Sequence, residues 1–227
     1  MSGDDAGILL LSLKVSLVGL AASLPVAIAV AFVLARKRFP GKTLFDALVH
    51  LPLVLPPVVV GYALLVLFGT QAPIGRLLEP LGIVFAFRWT GAALAAAIMG
   101  FPLLVRAIRL AIESVDPRIE LAARTLGASR TRVFFTVTLP LSMPGVVTGA
   151  LLSFARSLGE FGATITFVSN IPGETRTLPL AIYTFTQVPG GDAQALRLAL
   201  FSVALSLGAL VLSEWLVRRS PSRATHA

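Results

Sequence analysis

Apolar residues run along this chain in long blocks, and polar residues gather in the gaps between them. Residues 15–35 carry no charge and are bordered by Lys14 on one side and by Arg36, Lys37 and Arg38 on the other. A run of about 20 apolar residues spans the hydrocarbon core of a bilayer, so this block predicts a membrane-spanning helix that Pro25 can kink. The same pattern predicts spans over 47–70, over 89–105, within 133–155 and over 198–217, about five in all. The second block holds His50, Pro52, Pro56, Pro57 and Gly61, so its first half is not expected to form an uninterrupted helix. Carbonyls freed there need protein or water partners, because irregular backbone at membrane depth is tolerated only against protein or a cavity.

Two regions are too short to span. Residues 80–87 read as an interfacial helix or a loop packed on the bundle. Residues 161–171 and 178–188 are interrupted by Asn170, Pro172, Gly173, Glu174 and Arg176, which predicts a long, partly embedded external loop. The expected fold class is all-α: a polytopic transmembrane helical bundle, with residues 1–227 forming one domain.

Composition supports this pattern. The chain is 56% hydrophobic and 13% charged, against roughly 25% charged for soluble domains, so water cannot solvate its surface and the bilayer is the solvent. A formal charge of +8 invites a nucleic-acid reading. The basic residues, however, sit at the borders of apolar blocks, as membrane anchors do, and no nucleic-acid partner is expected. The sequence has no cysteine, which excludes disulfides, thiolate metal sites and cysteine nucleophiles. Asp4 and Asp5 precede a long apolar run, unlike the basic lead-in of a cleaved signal peptide, so the first segment is expected to be retained.

Charge also predicts orientation. With five spans, thirteen of the 19 Lys and Arg residues fall on one side, which the positive-inside rule makes cytoplasmic. The expected placement is an inner (plasma) membrane protein with Met1 periplasmic and Ala227 cytoplasmic. No internal repeat relates the two halves, and five helices are few to enclose a polar path, so a second copy related by two-fold symmetry is expected to complete it within the membrane lipid.

The gap between the third and fourth spans, residues 113–140, is the most informative. Asp116 suits a helix N-cap, Pro117 the first helical position, and Gly127 the left-handed residue that ends a helix. Ile119, Ala122, Ala123 and Leu126 recur at helical spacing and form an apolar stripe with small residues at its centre, on which another protein can seat. Ser129 can cap a second short helix, and Pro140 enters the fourth span.

The run Ala122-Ala123, Gly127, Val137 and Leu139-Pro140 resembles the cytoplasmic Glu-Ala-Ala signature of binding-protein-dependent ABC importer permeases. The family's Glu position holds Leu121 here, with Glu120 one residue earlier. Residues 51–61, 156–163 and 170–177 are similar to the oxyanion branch of that family, the molybdate permeases with their tungstate and sulfate relatives. The resemblance implies a type I importer permease that translocates molybdate. It binds no cofactor itself, and ATP is used by a separate ABC ATPase dimer, with a periplasmic oxyanion-binding protein delivering the cargo. It also implies that Glu120, Leu121, Ala122, Ala123, Gly127, Leu139 and Pro140 couple the chain to the ATPase.

Candidates for the pathway or its gate are Pro56 and Pro57, which can break a helix at membrane depth, and Arg156 with Glu160, four residues apart and able to share a helix face. Arg156 and Glu160 can equally be a structural ion pair. Gly159 and Gly162 allow a hinge or close helix packing, with packing favoured. His50 reads as a hydrogen-bonded structural residue before it reads as a path residue. Arg106 and Arg109, with Glu113, can extend the third span toward the ATPase or simply anchor it at the membrane border.

Other function classes fit poorly. Gly41-Lys42-Thr43 lacks the upstream glycine of a phosphate-binding loop, since Arg36 stands there, so no ATP site is expected in this chain. An intramembrane hydrolase would need a nucleophile with a base, or a His and carboxylate metal set, and the two histidines, His50 and His226, do not supply one. A passive channel lacks a filter motif or charged ring and leaves residues 113–140 without a role.

Overall fold

The computed structural model describes residues 3–219; the expected placements of Met1 and Ala227, together with His226, lie outside them. Every described element is helical. α1 (Gly3–Arg36) is followed by α2 (Lys42–Val54), α3 (Pro57–Phe68), a short α4 (Pro73–Leu78) and then α5 (Trp89–Ser114). Next come α6 (Pro117–Thr125), α7 (Arg130–Val133), α8 (Leu139–Leu158), α9 (Gly162–Val168), α10 (Leu178–Thr186) and α11 (Asp192–Arg219). Four helices are long and apolar enough to cross a membrane, and a fifth crossing is available if the bent pair α2 and α3 counts as one.

α5 is the axis of the bundle, packed between α1 and α8. Its small residues let backbones approach, which matters in lipid, where association rests on close packing more than on apolar burial. A Cβ at Gly19 of α1 would stand 2.7 Å from the Ala93 carbonyl oxygen, and one at Gly149 of α8 would stand 3.1 Å from the Leu104 carbonyl oxygen and the Ala107 Cβ. Gly145, four residues before Gly149, faces Ala111 in the same way. Two core clusters lie along α5. One joins Val15, Ala92, Ala96 and Met99 to α3 and α9; the other joins Ala27, Ala31 and Leu34 to Leu104, Ile108, Ile112 and Val146.

Several expectations need correction in detail. The spans are longer than the charge-free blocks: α1 begins at Gly3, and α5 continues past Val105 to Ser114. Charged residues extend a helix into the polar border, where their long stems lie along apolar surface. In the second block, α2 runs through Pro52, and the break comes later, at Leu55 and Pro56, where the axes bend by 112°. Both break residues are extended, as expected for a residue that precedes proline, and Pro57 opens α3 at a position where its missing N–H costs nothing. The fourth span is continuous from Arg130 to Leu158. Phe134–Thr138 forms a π turn in which the Leu139 N–H reaches the Phe134 carbonyl, just where Pro140 cannot return an N–H to Thr136. Residues 80–87 are not a regular helix: a single 3-10 turn at Glu79–Leu81 is followed by irregular chain and a turn at 86–87. The predicted embedded loop is two short helices: α9 buries Ala163, Thr164, Phe167 and Val168, and α10 buries Leu178, Leu180 and Ala181.

Candidate functional site

The segment between α5 and α8 follows its local chemistry closely. The Asp116 carboxylate accepts from the Arg118 N–H at 2.8 Å, and the Ser129 hydroxyl accepts from the Arg132 N–H at 3.2 Å, so each short helix is capped by its own side chain. Gly127 has φ +87° with nothing within 4 Å of where a Cβ would stand, which makes it an open left-handed turn between α6 and α7. α6 buries no residue. Of its predicted stripe, Ile119 and Leu126 are 48% and 88% exposed and Ala122 is exposed, while Ala123 is half-buried; Leu121, outside the stripe, is 59% exposed. An apolar helix face in the polar border region is unfavourable unless another protein covers it.

Glu120 behaves differently from its neighbours. Its carboxylate turns inward and pairs with Arg36 at the end of α1, Nη2 to Oε1 2.8 Å, and Oε1 also accepts from the Thr138 hydroxyl at 2.9 Å. Arg36 Nη2 donates as well to the Val115 carbonyl, the C-cap of α5, at 2.9 Å. Among the expected coupling residues, Glu120 thus faces the bundle, Leu121 and Ala122 face out, and Leu139 and Pro140 lie at the start of α8. By sequence Arg36 reads as a border anchor only. The pairing joins residues 84 apart and leaves no local trace in the chain.

A second polar cluster sits on the same end of the bundle. Asp46 of α2 accepts from Arg109 Nη1 at 2.9 Å, Arg109 Nε reaches Glu113 at 2.8 Å, and His50 Nδ1 lies 3.2 Å from the Asp46 carboxylate and 2.9 Å from the Asp46 carbonyl. His50 is accordingly hydrogen-bonded within α2, and the Asp46–Arg109 pair is what fastens α2 to α5. Asp46 is absent from the residues that the sequence singles out. Among the described residues no three His, Asp or Glu side chains are grouped as a metal site needs.

The remaining candidates meet at the joint between α8 and α9. α8 ends at Leu158, so Arg156 and Glu160 pair across a helix end and not along one face, Nη1 to Oε2 2.7 Å. Glu160 is buried, and its other oxygen accepts from the Ala163 N–H at 2.9 Å, which satisfies one of the donors left open at the start of α9. Gly162 then lies against the break in the other short helix: a Cβ there would stand 2.8 Å from the Pro57 Cβ. Gly61 presses on α9 in the same manner, 2.5 Å from the Ala163 carbonyl oxygen by the same construction. The structure therefore brings Pro57, Gly162, Glu160 and Arg156 to one place, with Pro56 beside them. Gly162 serves close packing, whereas Gly159 meets only its own helix.

At the end of α5 opposite Arg109, Lys14 lies over the Trp89 ring, 3.6 Å from its centroid, and the Trp89 N–H donates to Glu174 at 3.3 Å. Asn170 accepts from Arg176 Nε at 3.0 Å and donates to the Thr184 hydroxyl at 2.7 Å, so the loop 170–177 is tied within itself and to α10. Asp5 is buried and pairs with Arg197 of α11 at 2.8 Å.

Comparison with known proteins bears directly on this arrangement. Residues 23–220 match the family model described as the binding-protein-dependent transport system inner membrane component. The chain is 63% identical, over 95% of its length and 94% of the relative's, to the molybdenum transport system permease protein ModB of Escherichia coli K12. It is 60% identical, over 92% of each chain, to the protein of the same name from Haemophilus influenzae. A sulfate transport system permease protein, CysT of Salmonella typhimurium, is 42% identical over 69% of this chain and 57% of its own length. Among solved structures, a bacterial ABC transporter that imports alginate superposes with a TM-score of 0.75 at 17% identity, covering 97% of this chain and 81% of that one. The MetNI methionine ABC transporter in an inward-facing conformation gives a TM-score of 0.66 at 16% identity, over 94% of this chain and 93% of its own. These last two speak for the fold alone, which is that of ABC importer permeases.

Proposed function

Since this chain belongs to the family of binding-protein-dependent transport system inner membrane components, we propose a route by which it uses the free energy of a partner's ATP hydrolysis to move its cargo. It is the multi-pass inner-membrane permease subunit of an ABC molybdate importer. It has no ATPase domain of its own; hydrolysis belongs to an ATPase subunit, and the family's dependence on a binding protein implies a periplasmic partner. Molybdate is favoured over sulfate by identity along nearly the whole chain, compared with a partial match to the sulfate relative.

In this reading, residues 113–140 dock on an ATPase dimer. The observation that carries it is α6, a helix capped by its own residues that buries none of them and leaves Ile119, Leu121 and Leu126 largely exposed. Leu121, Ala122 and Leu126 form the contact face, Gly127 sets the angle between α6 and α7, and Leu139-Pro140 leads the segment into the membrane. Docking puts this end of the bundle in the cytoplasm and, over five crossings, Met1 in the periplasm, in agreement with the charge bias. A second copy, related by two-fold symmetry, completes the path, and lipid covers the outer faces. The joint of Pro56, Pro57, Arg156, Glu160 and Gly162, formed where two short helices meet inside the bundle, forms part of the gate. ATPase closure then moves the docking segment and alternates exposure of the dimer interface.

Reconstitution tests this. With the ATPase and the molybdate-loaded binding protein in proteoliposomes, stimulated ATP hydrolysis and molybdate uptake are expected only when this chain is present. Stimulation that persists without it rejects the scheme. Sulfate uptake matching molybdate uptake with the same binding protein rejects the cargo assignment.

A further inference from the structure

We propose that Glu120 is a positioning residue, an internal strut that carries the motion of the docking helix into the first membrane span, and not itself a contact with the ATPase. The inference rests on residues 113–140 being the docking segment, and it assigns the inward half of that segment a separate task.

α6 is weakly attached. It buries no residue, and its main packing within the chain is against α7 and the π turn. At one end it leaves α5 through Val115 and Asp116; at the other it ends in the open turn at Gly127, where even an added Cβ would meet nothing. A load applied to its apolar face therefore has one stiff lateral route into the bundle, the Glu120 carboxylate. One oxygen of that carboxylate, Oε1, accepts from both Arg36 of α1 and Thr138 of the π turn. Arg36 in turn holds the Val115 carbonyl, so a single guanidinium links the end of α1, the end of α5 and the middle of α6.

The surroundings make this linkage stiff. The Arg36 and Glu120 side chains are only 18% and 20% exposed, so the pair is partly withdrawn from water and less screened than a surface ion pair. Thr138 is buried. One turn back along α1, Phe32 meets Phe134 of the π turn edge to face, with centroids 4.8 Å apart. α1 and the start of the fourth span are thus held together by an aromatic contact and by the carboxylate node, and α6 joins them through the node. A π turn inside a span is a place where a helix tolerates a change of register, which suits the point where a docking segment enters the membrane.

The test uses the whole transporter in proteoliposomes, with molybdate moved per ATP hydrolysed as the readout and co-purification of the ATPase as the control. Glu120→Gln keeps the shape and removes the charge. It is expected to retain the ATPase while lowering transport per ATP about tenfold, within the ~5–150-fold range of typical couplings. Arg36→Gln is expected to do the same, and the double variant to be no worse than either single one, because both remove one interaction. Thr138→Val removes only the hydroxyl donor and is expected to lower the ratio about twofold to threefold; it also reads the node if the charge variants insert poorly. The proposal is overturned if Glu120→Gln transports with the unaltered ratio, if it sheds the ATPase and so marks a docking contact, or if the double variant shows two independent losses. Leu126→Asp, on the outward face, separates the two readings. Failure to release the ATPase there rejects the docking segment; release there with an unaltered Glu120→Gln ratio rejects only the strut.

Discussion

Two of the Arg–Glu pairs among the described residues have nearly the same length and different settings. Arg36–Glu120 spans 84 residues at 2.8 Å, and both side chains keep partial contact with solvent. Arg156–Glu160 spans a single helix end at 2.7 Å with the glutamate 2% exposed. The first joins α6 to the ends of α1 and α5, and α6 otherwise packs mainly on its short neighbours. The second closes a joint in which the carboxylate's other oxygen is already used by the Ala163 N–H and Pro57 presses on Gly162. Burial and sequence separation, not the residue types, decide whether an ion pair links moving parts or fixes a corner.

That contrast can be tested from its strongest side. Glu160→Ala removes the buried carboxylate, leaving the 29%-exposed Arg156 side chain without its partner and the Ala163 N–H without an acceptor, so a loss of about 3 kcal/mol is expected in detergent unfolding of the purified permease–ATPase complex. A loss under about 1 kcal/mol, within the range of exposed pairs, would erase the distinction. Gly162→Val drives a side chain into Pro57 and is expected to cost about 1–3 kcal/mol by the same measurement, with Gly159→Val smaller because that position is open.

On the docking side the effects on stability shrink and the effects on function grow. Gly127→Ile places a β-branched residue at φ +87°, a strain of about 1–2 kcal/mol. Molybdate uptake is expected to be abolished while membrane insertion is retained, and full uptake in cells would remove Gly127 from the coupling role. Leu126→Ser, at 88% exposed, is expected to change stability by no more than about 0.5 kcal/mol and yet to weaken retention of the ATPase on affinity purification. Unchanged retention would mean that the outward stripe is not the contact face.

Local chemistry makes the docking segment legible in the sequence. Caps at Asp116 and Ser129, the turn at Gly127 and the small-residue stripe all act over three or four residues, and each appears where its side-chain chemistry places it. The joint is half legible. Prolines 56 and 57 announce a break, but Pro52 suggests it too early, because one missing N–H inside a helix can be absorbed when neighbouring turns and side chains support it. That the break rests on Gly162 is not readable, since the contact joins residues more than a hundred apart.

The chain alone determined that it lies in a membrane, roughly where it crosses, and which segment between spans folds into capped short helices with an apolar stripe. Those properties follow from apolar length, border charge and capping, all of which act along the backbone. Only the tertiary structure decided that Glu120, in the middle of a short helix, faces inward and braces two helices, while Glu160, between Gly159 and Gly162, seals a helix start. A long-range ion pair is formed by whatever cation the packing brings within reach, and in this bundle the close approach of α1 and α8 to α5 through small residues brings Arg36 to Glu120, whereas Arg156 is given to Glu160 by its place four residues earlier in the chain.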